Sequence, residues 1–99
     1  MACFDFYENP GAAGFLLDVQ ADLMRALNTR IVVPLLPERE APRPAARLNP
    51  LFVFGRARHV MVTQYMAAVP TTELRTLIGS LAHARDEIRD ALDMIFRGF

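Results

Sequence analysis

Sustained helical spacing of apolar residues occurs once in this sequence, at its end. Ile88, Ala91, Leu92, Ile95 and Phe96 fall at i, i+3, i+4, i+7 and i+8, which is one face of a helix. The spacing predicts a helix over residues 82–96, about 22 Å long at the usual rise. Asp86 and Glu87 come early in it and Arg97 late, as the helix dipole favours. Gly98 stands where a left-handed cap is expected. The rest of the chain reads mainly as short strand-like runs separated by turn signals. A mainly β fold closed by one terminal helix follows.

Cys3–Tyr7 and Gly14–Gln20 read as two strands of a hairpin, with Asn9-Pro10-Gly11 in the turn. Arg30–Leu35 is β-branched and apolar on both faces, as in a central strand, with Pro34 expected near its end. Residues 37–50 hold Pro37, Pro42, Pro44 and Pro50 and read as a surface excursion. Leu51–Phe54 and His59–Gln64 flank a turn at Gly55, and Tyr65–Pro70 suits a further short strand. Asp22 is expected to end a strand. Leu74, Leu77, Ile78 and Leu81 suggest a short helical or irregular stretch, broken at Gly79-Ser80. The architecture expected is an antiparallel β-barrel or curved sheet with a C-terminal helix, one domain over residues 1–99.

A chain this long buries roughly 60–68% of its extendable surface. Its hydrophobic fraction is 53%, more than such a core absorbs. The surplus suits an interface, either a homodimer or a protein target. Formal charge is zero, with 11 basic and 11 acidic residues, which argues against direct nucleic-acid binding. Charge is nonetheless uneven. Residues 25–58 carry seven Arg against Glu38 and Glu40, read either as a solvated loop surface or as a docking site for an acidic peptide. Cys3 is the single cysteine, so no intrachain disulfide forms and a reducing, cytoplasmic setting is expected. No signal peptide is expected at the N-terminus, and no apolar run is long enough for a membrane span.

Catalytic and metal-binding patterns are not found. His59 and His83 lack a companion at metal-ligand spacing. Thr71-Thr72-Glu73 and Ser80 suit helix starts rather than nucleophiles. No general acid–base set can be named. No cofactor is expected.

Five segments together resemble a known family. They are Phe15-Leu16-Leu17-Asp18-Val19-Gln20-Ala21-Asp22, Arg30-Ile31-Val32-Val33-Pro34-Leu35, Met66-Ala67-Ala68-Val69-Pro70, Leu81–Ile88 and Met94-Ile95-Phe96-Arg97-Gly98-Phe99. In this order and spacing the chain resembles CcdB, the toxin of CcdA–CcdB toxin–antitoxin modules, over essentially its whole length. The resemblance implies a bacterial homodimer with an SH3-like barrel and a C-terminal helix, the fold shared with MazF-type ribonuclease toxins. It implies an inhibitor rather than an enzyme. Such a protein binds the DNA gyrase A subunit near its dimer axis and traps the cleaved-DNA state. A CcdA-like antitoxin neutralises it.

Carried over by position, the gyrase-binding surface is Asp93, Phe96, Arg97, Gly98 and Phe99, with Leu23 and Met24 beside it. Arg97 departs from the family, whose motif has Trp before Gly. That Trp lies against a gyrase arginine, so an Arg there loses an aromatic anchor and adds repulsion, costing several kcal/mol. Phe99 can offset part of this. Residue by residue, Phe96 is either core or contact, and Gly98 a cap or a contact. Of the adjacent Leu23 and Met24, one is expected at an interface. Arg43 and Arg47, within the basic region 39–58, are the expected antitoxin contacts, with the loop Glu8–Ala13. Two alternatives share the fold: a toxin with another protein target, and an endoribonuclease, for which no convincing basic groove is found.

Overall fold

The computed structural model describes residues 2–98 of the chain. Among these residues, seven short strands precede one helix. They are β1 (Asp5–Glu8), β2 (Phe15–Asp18), β3 (Thr29–Pro37), β4 (Leu51–Phe54), β5 (Ala57–Met61), β6 (Ala67–Pro70) and β7 (Leu77–Ser80), followed by α1 (Arg85–Arg97). All pairings are antiparallel, and the sheet runs β4-β5-β3-β2-β1-β7 with β6 also on β3. The sheet curls into a half-barrel with α1 against it, the mainly β architecture expected.

Adjacent residues of a strand face opposite ways, and β1, β2 and β3 are apolar on both faces. Phe6, Leu17, Val33 and Leu35 join Phe52, Met61 and the helix residues Ile88 and Ala91 in the larger core. Tyr7, Leu16 and Val32 form a smaller cluster with Leu74 on the other face. Within the larger core Phe6, Phe15 and Phe54 form an aromatic group, with ring centroids 4.8–5.4 Å apart. His59 lies against Phe15 and Phe54 (5.1 and 5.3 Å) and is buried. It is a packing histidine.

The hairpin turn ends at Gly14, whose φ is +88°, and a Cβ there would meet the Leu35 carbonyl oxygen. Only glycine allows both that backbone conformation and that close approach.

Several local expectations are corrected. Pro34 lies inside β3, not near its end. Its carbonyl accepts from the Val62 N–H (3.0 Å) on the side facing away from β2. The missing proline N–H falls on that same side, where β3 passes from pairing β6 to pairing β5. A proline is tolerated mid-strand because the ladder is already interrupted there. The stretch expected to be helical or irregular contains β7, held by pairing with β1 across a bulge at Phe6/Tyr7. Asp22 does not end a strand: β2 stops at Asp18, and Asp22 opens a 3-10 turn through Met24. Residues 82–84 form a 3-10 turn, with Ser80 Oγ accepting from the Ala82 N–H, before α1 begins at Arg85.

The largest correction concerns Arg30. Counted with the basic zone, it is instead wholly buried, as is Asp18 beneath it. Arg30 Nε and Nη2 reach Asp18 Oδ2 at 2.8 and 2.6 Å. The pair extends the small cluster's face of the sheet, where an unpaired charge would be very costly.

Candidate functional site

The helix α1 begins in the core and ends outside it. Ile88 and Ala91 are fully buried, Leu92 is half-buried, Ile95 is 37% exposed and Phe96 71% exposed. The apolar stripe is continuous in sequence, but the sheet beneath it is not. Phe96 is therefore not a core residue, which decides between the two readings of it. Gly98 caps the helix with φ +78°, its N–H donating to the Met94 carbonyl at 3.1 Å. The cap reading of Gly98 is thus observed. Asp93, Arg97 and Gly98 are exposed on the same helix end.

Beside that end is an apolar groove of about 380 Å³. Leu92 and Phe96 form one wall, and Val19, Gln20, Ala21, Ile31 and Met66 the rest. Chain direction explains the arrangement. β2 delivers Val19 to Ala21 at its exit, β3 brings Ile31 alongside through the Val19 N–H to Ile31 carbonyl bond (3.0 Å), and the turn before β6 supplies Met66.

The turn Asp22–Met24 continues from the groove's Ala21 wall and buries none of its residues. Leu23 is 88% exposed and Met24 49% exposed. Both face outward, where one at an interface was expected. The structure thus gathers Phe96 and the segment leading to Leu23 and Met24 around one groove. Phe99, the remaining expected contact, lies outside the described residues. Val19, Ile31, Met66 and Leu92 were not singled out as site residues in the sequence. Val19, Ile31 and Met66 stand in the family-like segments, but only the register shows that they meet.

Behind the groove, Asp18 and Arg30 form a buried ion pair. Burial pushes the Asp18 carboxyl above its ordinary value, while the Arg30 and Gln20 hydrogen bonds pull it back. Burial, with Asp18 and Asp22 nearby, also raises the Cys3 thiol. A thiol held neutral is a poor nucleophile.

Arg43 and Arg47 are exposed on the proline-rich excursion. A separate pocket brings together Arg39, Arg56 and Arg58 with Pro37, Glu38 and Ala57. Arg58 reaches Glu38 at 3.2 Å in an exposed pair, worth little by itself. Among the described residues there is no group of three or more His, Cys, Asp or Glu placed to hold a metal ion. No helix among them is long and apolar enough to cross a membrane.

Comparison with protein-family models matches the CcdB protein family over residues 3–98 of the 99-residue chain. The match spans both walls of the groove, the exposed turn and the helix end. The match is to the toxin component of a toxin–antitoxin module, and the chain belongs to the CcdB family.

Proposed function

We propose that the chain is a homodimeric, non-enzymatic toxin. It binds the DNA gyrase A subunit and holds gyrase in its cleaved-DNA state until an antitoxin removes it. The observation that carries this reading is Phe96, 71% exposed at the end of a stripe that is fully buried at Ile88, two turns earlier. A large aromatic left in water beside an apolar groove favours protein contact. In a two-fold dimer the helix ends of both protomers would form one surface. Leu23, Met24, Asp93, Phe96, Arg97, Gly98 and Phe99 are its proposed gyrase contacts. For the antitoxin, an acidic segment is the proposed partner of Arg43 and Arg47, extended to the Arg39, Arg56 and Arg58 pocket. No nucleic acid, cofactor or membrane enters this reading, and the cytoplasm is the proposed location.

A second reading keeps the toxin and changes the target. Arg97, where the family has Trp, favours it. Titration of the gyrase A subunit with wild type and Arg97→Trp separates the two. Binding by wild type, with growth arrest and accumulated cleaved DNA on expression, supports gyrase. Binding only by Arg97→Trp shows a target that has drifted. Binding by neither, without arrest, ends the gyrase reading.

A further inference from the structure

Leu23 and Met24 sit on a turn with no buried residue of its own. Apolar packing therefore does not fix it. Its backbone bonds are local: Met24 N–H to Ala21 carbonyl (2.9 Å), Arg25 N–H to Asp22 carbonyl (3.1 Å) and Leu27 N–H to Met24 carbonyl (3.1 Å). Short turns of this kind are marginal when nothing else holds them.

What holds this one is a chain of polar contacts running out from the core. Arg30 grips Asp18 Oδ2. Asp18 Oδ1 accepts the Gln20 backbone N–H at 3.0 Å. Gln20 Oε1 accepts the Ile31 N–H at 3.0 Å, and Gln20 Nε2 donates to the Met24 carbonyl at 3.0 Å. Arg30 Nη2 also approaches the Gln20 carbonyl at 3.4 Å. A separate tie, Cys3 N–H to Asp22 Oδ1 at 2.7 Å, anchors the front of the turn. The Gln20 amide is the hinge of the arrangement. Its oxygen faces the sheet and its nitrogen faces the turn, so both ends of one side chain are committed.

We infer that Asp18, Gln20 and Arg30 form a buried polar clamp that positions the turn 21–27 and so presents Leu23 and Met24 to the protein partner. These are positioning residues, and their role in docking rests on the function proposed above. Arg30 Nη1 is buried without a hydrogen-bond partner, but the Asp18 and Gln20 groups on the path to the turn are each paired, and paired buried polar groups fix one geometry where apolar packing leaves several. An exposed leucine held in one geometry loses less entropy on docking than one on a loose loop.

Gln20→Glu tests the clamp. A carboxylate keeps the acceptor for Ile31 but cannot donate to Met24. Amide hydrogen exchange of Met24, Arg25 and Leu27 is followed in wild type and variant, with Val33 and Leu35 in β3 as internal references. In wild type the three turn amides exchange at least about tenfold slower than in an unstructured chain. In Gln20→Glu they accelerate about tenfold, Val33 and Leu35 change less than about twofold, and affinity for the gyrase A subunit falls about tenfold. Turn amides unprotected in wild type overturn the clamp, even if the variant fails to fold. So do turn and strand amides that accelerate together, or turn amides that do not respond. If wild type does not bind gyrase A while the exchange pattern is as stated, the gyrase reading fails and the clamp stands.

Discussion

Replacing Phe96 by Ala separates a surface aromatic from a core one. Fully burying a Phe side chain stabilises a fold by about 1.5–3 kcal/mol. Phe96 is 71% exposed, so about three-tenths of that, roughly 0.4–0.9 kcal/mol, is at stake in the isolated protomer. For a domain of this size that is a fall in Tm of about 2–7 °C. Ile88, fully buried on the same stripe, provides the contrast: Ile88→Ala costs about 2–5 kcal/mol and well over 8 °C. The assay is calorimetry on both variants at two protein concentrations, followed by titration against the gyrase A subunit. If Phe96 also contributes to a dimer, its Tm effect grows with protein concentration and shrinks on dilution. At a docking surface Phe96→Ala weakens binding by about 2 kcal/mol or more, some thirtyfold. A Tm loss matching that of Ile88→Ala, at both concentrations, would refute the reasoning, because the side chain would then be part of the core.

Asp18→Ala leaves the Arg30 guanidinium buried without its partner and should cost about 3–5 kcal/mol in urea unfolding; the double variant Asp18→Leu/Arg30→Met should recover at least half of that. Stability should fall at alkaline pH. Burial raises Cys3 above 9.0 and Tyr7 above 10.0, so in that range the unfolded chain deprotonates first and unfolding releases protons. Tm should therefore decline from about pH 9 upward, and Cys3→Ala should delay the onset toward the tyrosine range; a flat profile in both proteins counts against the buried thiol. Gly98→Ala places a Cβ at φ +78° with nothing within 4 Å, so strain alone acts and the loss should be about 1–2 kcal/mol by thermal melting.

Most strand segments and the terminal helix were legible because periodicity and punctuation are local. Ile88 and Ala91 announced the helix, and Gly98 its end. What the sequence hid was tertiary. Phe96 continues the stripe of Ile88 in every local respect, and only the limit of the sheet leaves it outside. Leu77 and Ile78 show neither helical nor strand period strongly, and β1 makes them a strand. Arg30 looked like one more surface cation among seven, since a single sequence cannot show that Asp18 lies two register positions from it across the sheet. The site was half visible. The helix end and Leu23-Met24 came from the resemblance, whereas the groove walls Val19, Ile31 and Met66 meet only through pairing of β2, β3 and β6.

β3 is the one strand among the described residues that pairs with three others, and its partners come from far along the chain. Thr29 lies opposite Pro70, 41 positions on, and Leu35 opposite Met61. Loops must close before these contacts form, which places folding on the millisecond-to-second scale of non-local β topologies. The same sharing makes loss of structure abrupt. Neither half of the sheet can peel away and leave the other intact, since each leans on the same nine residues. Ile31 of the groove and Arg30 of the clamp both belong to that strand. Melting of β3 thus removes the docking surface in the same step as the core, leaving no weakened but still competent intermediate.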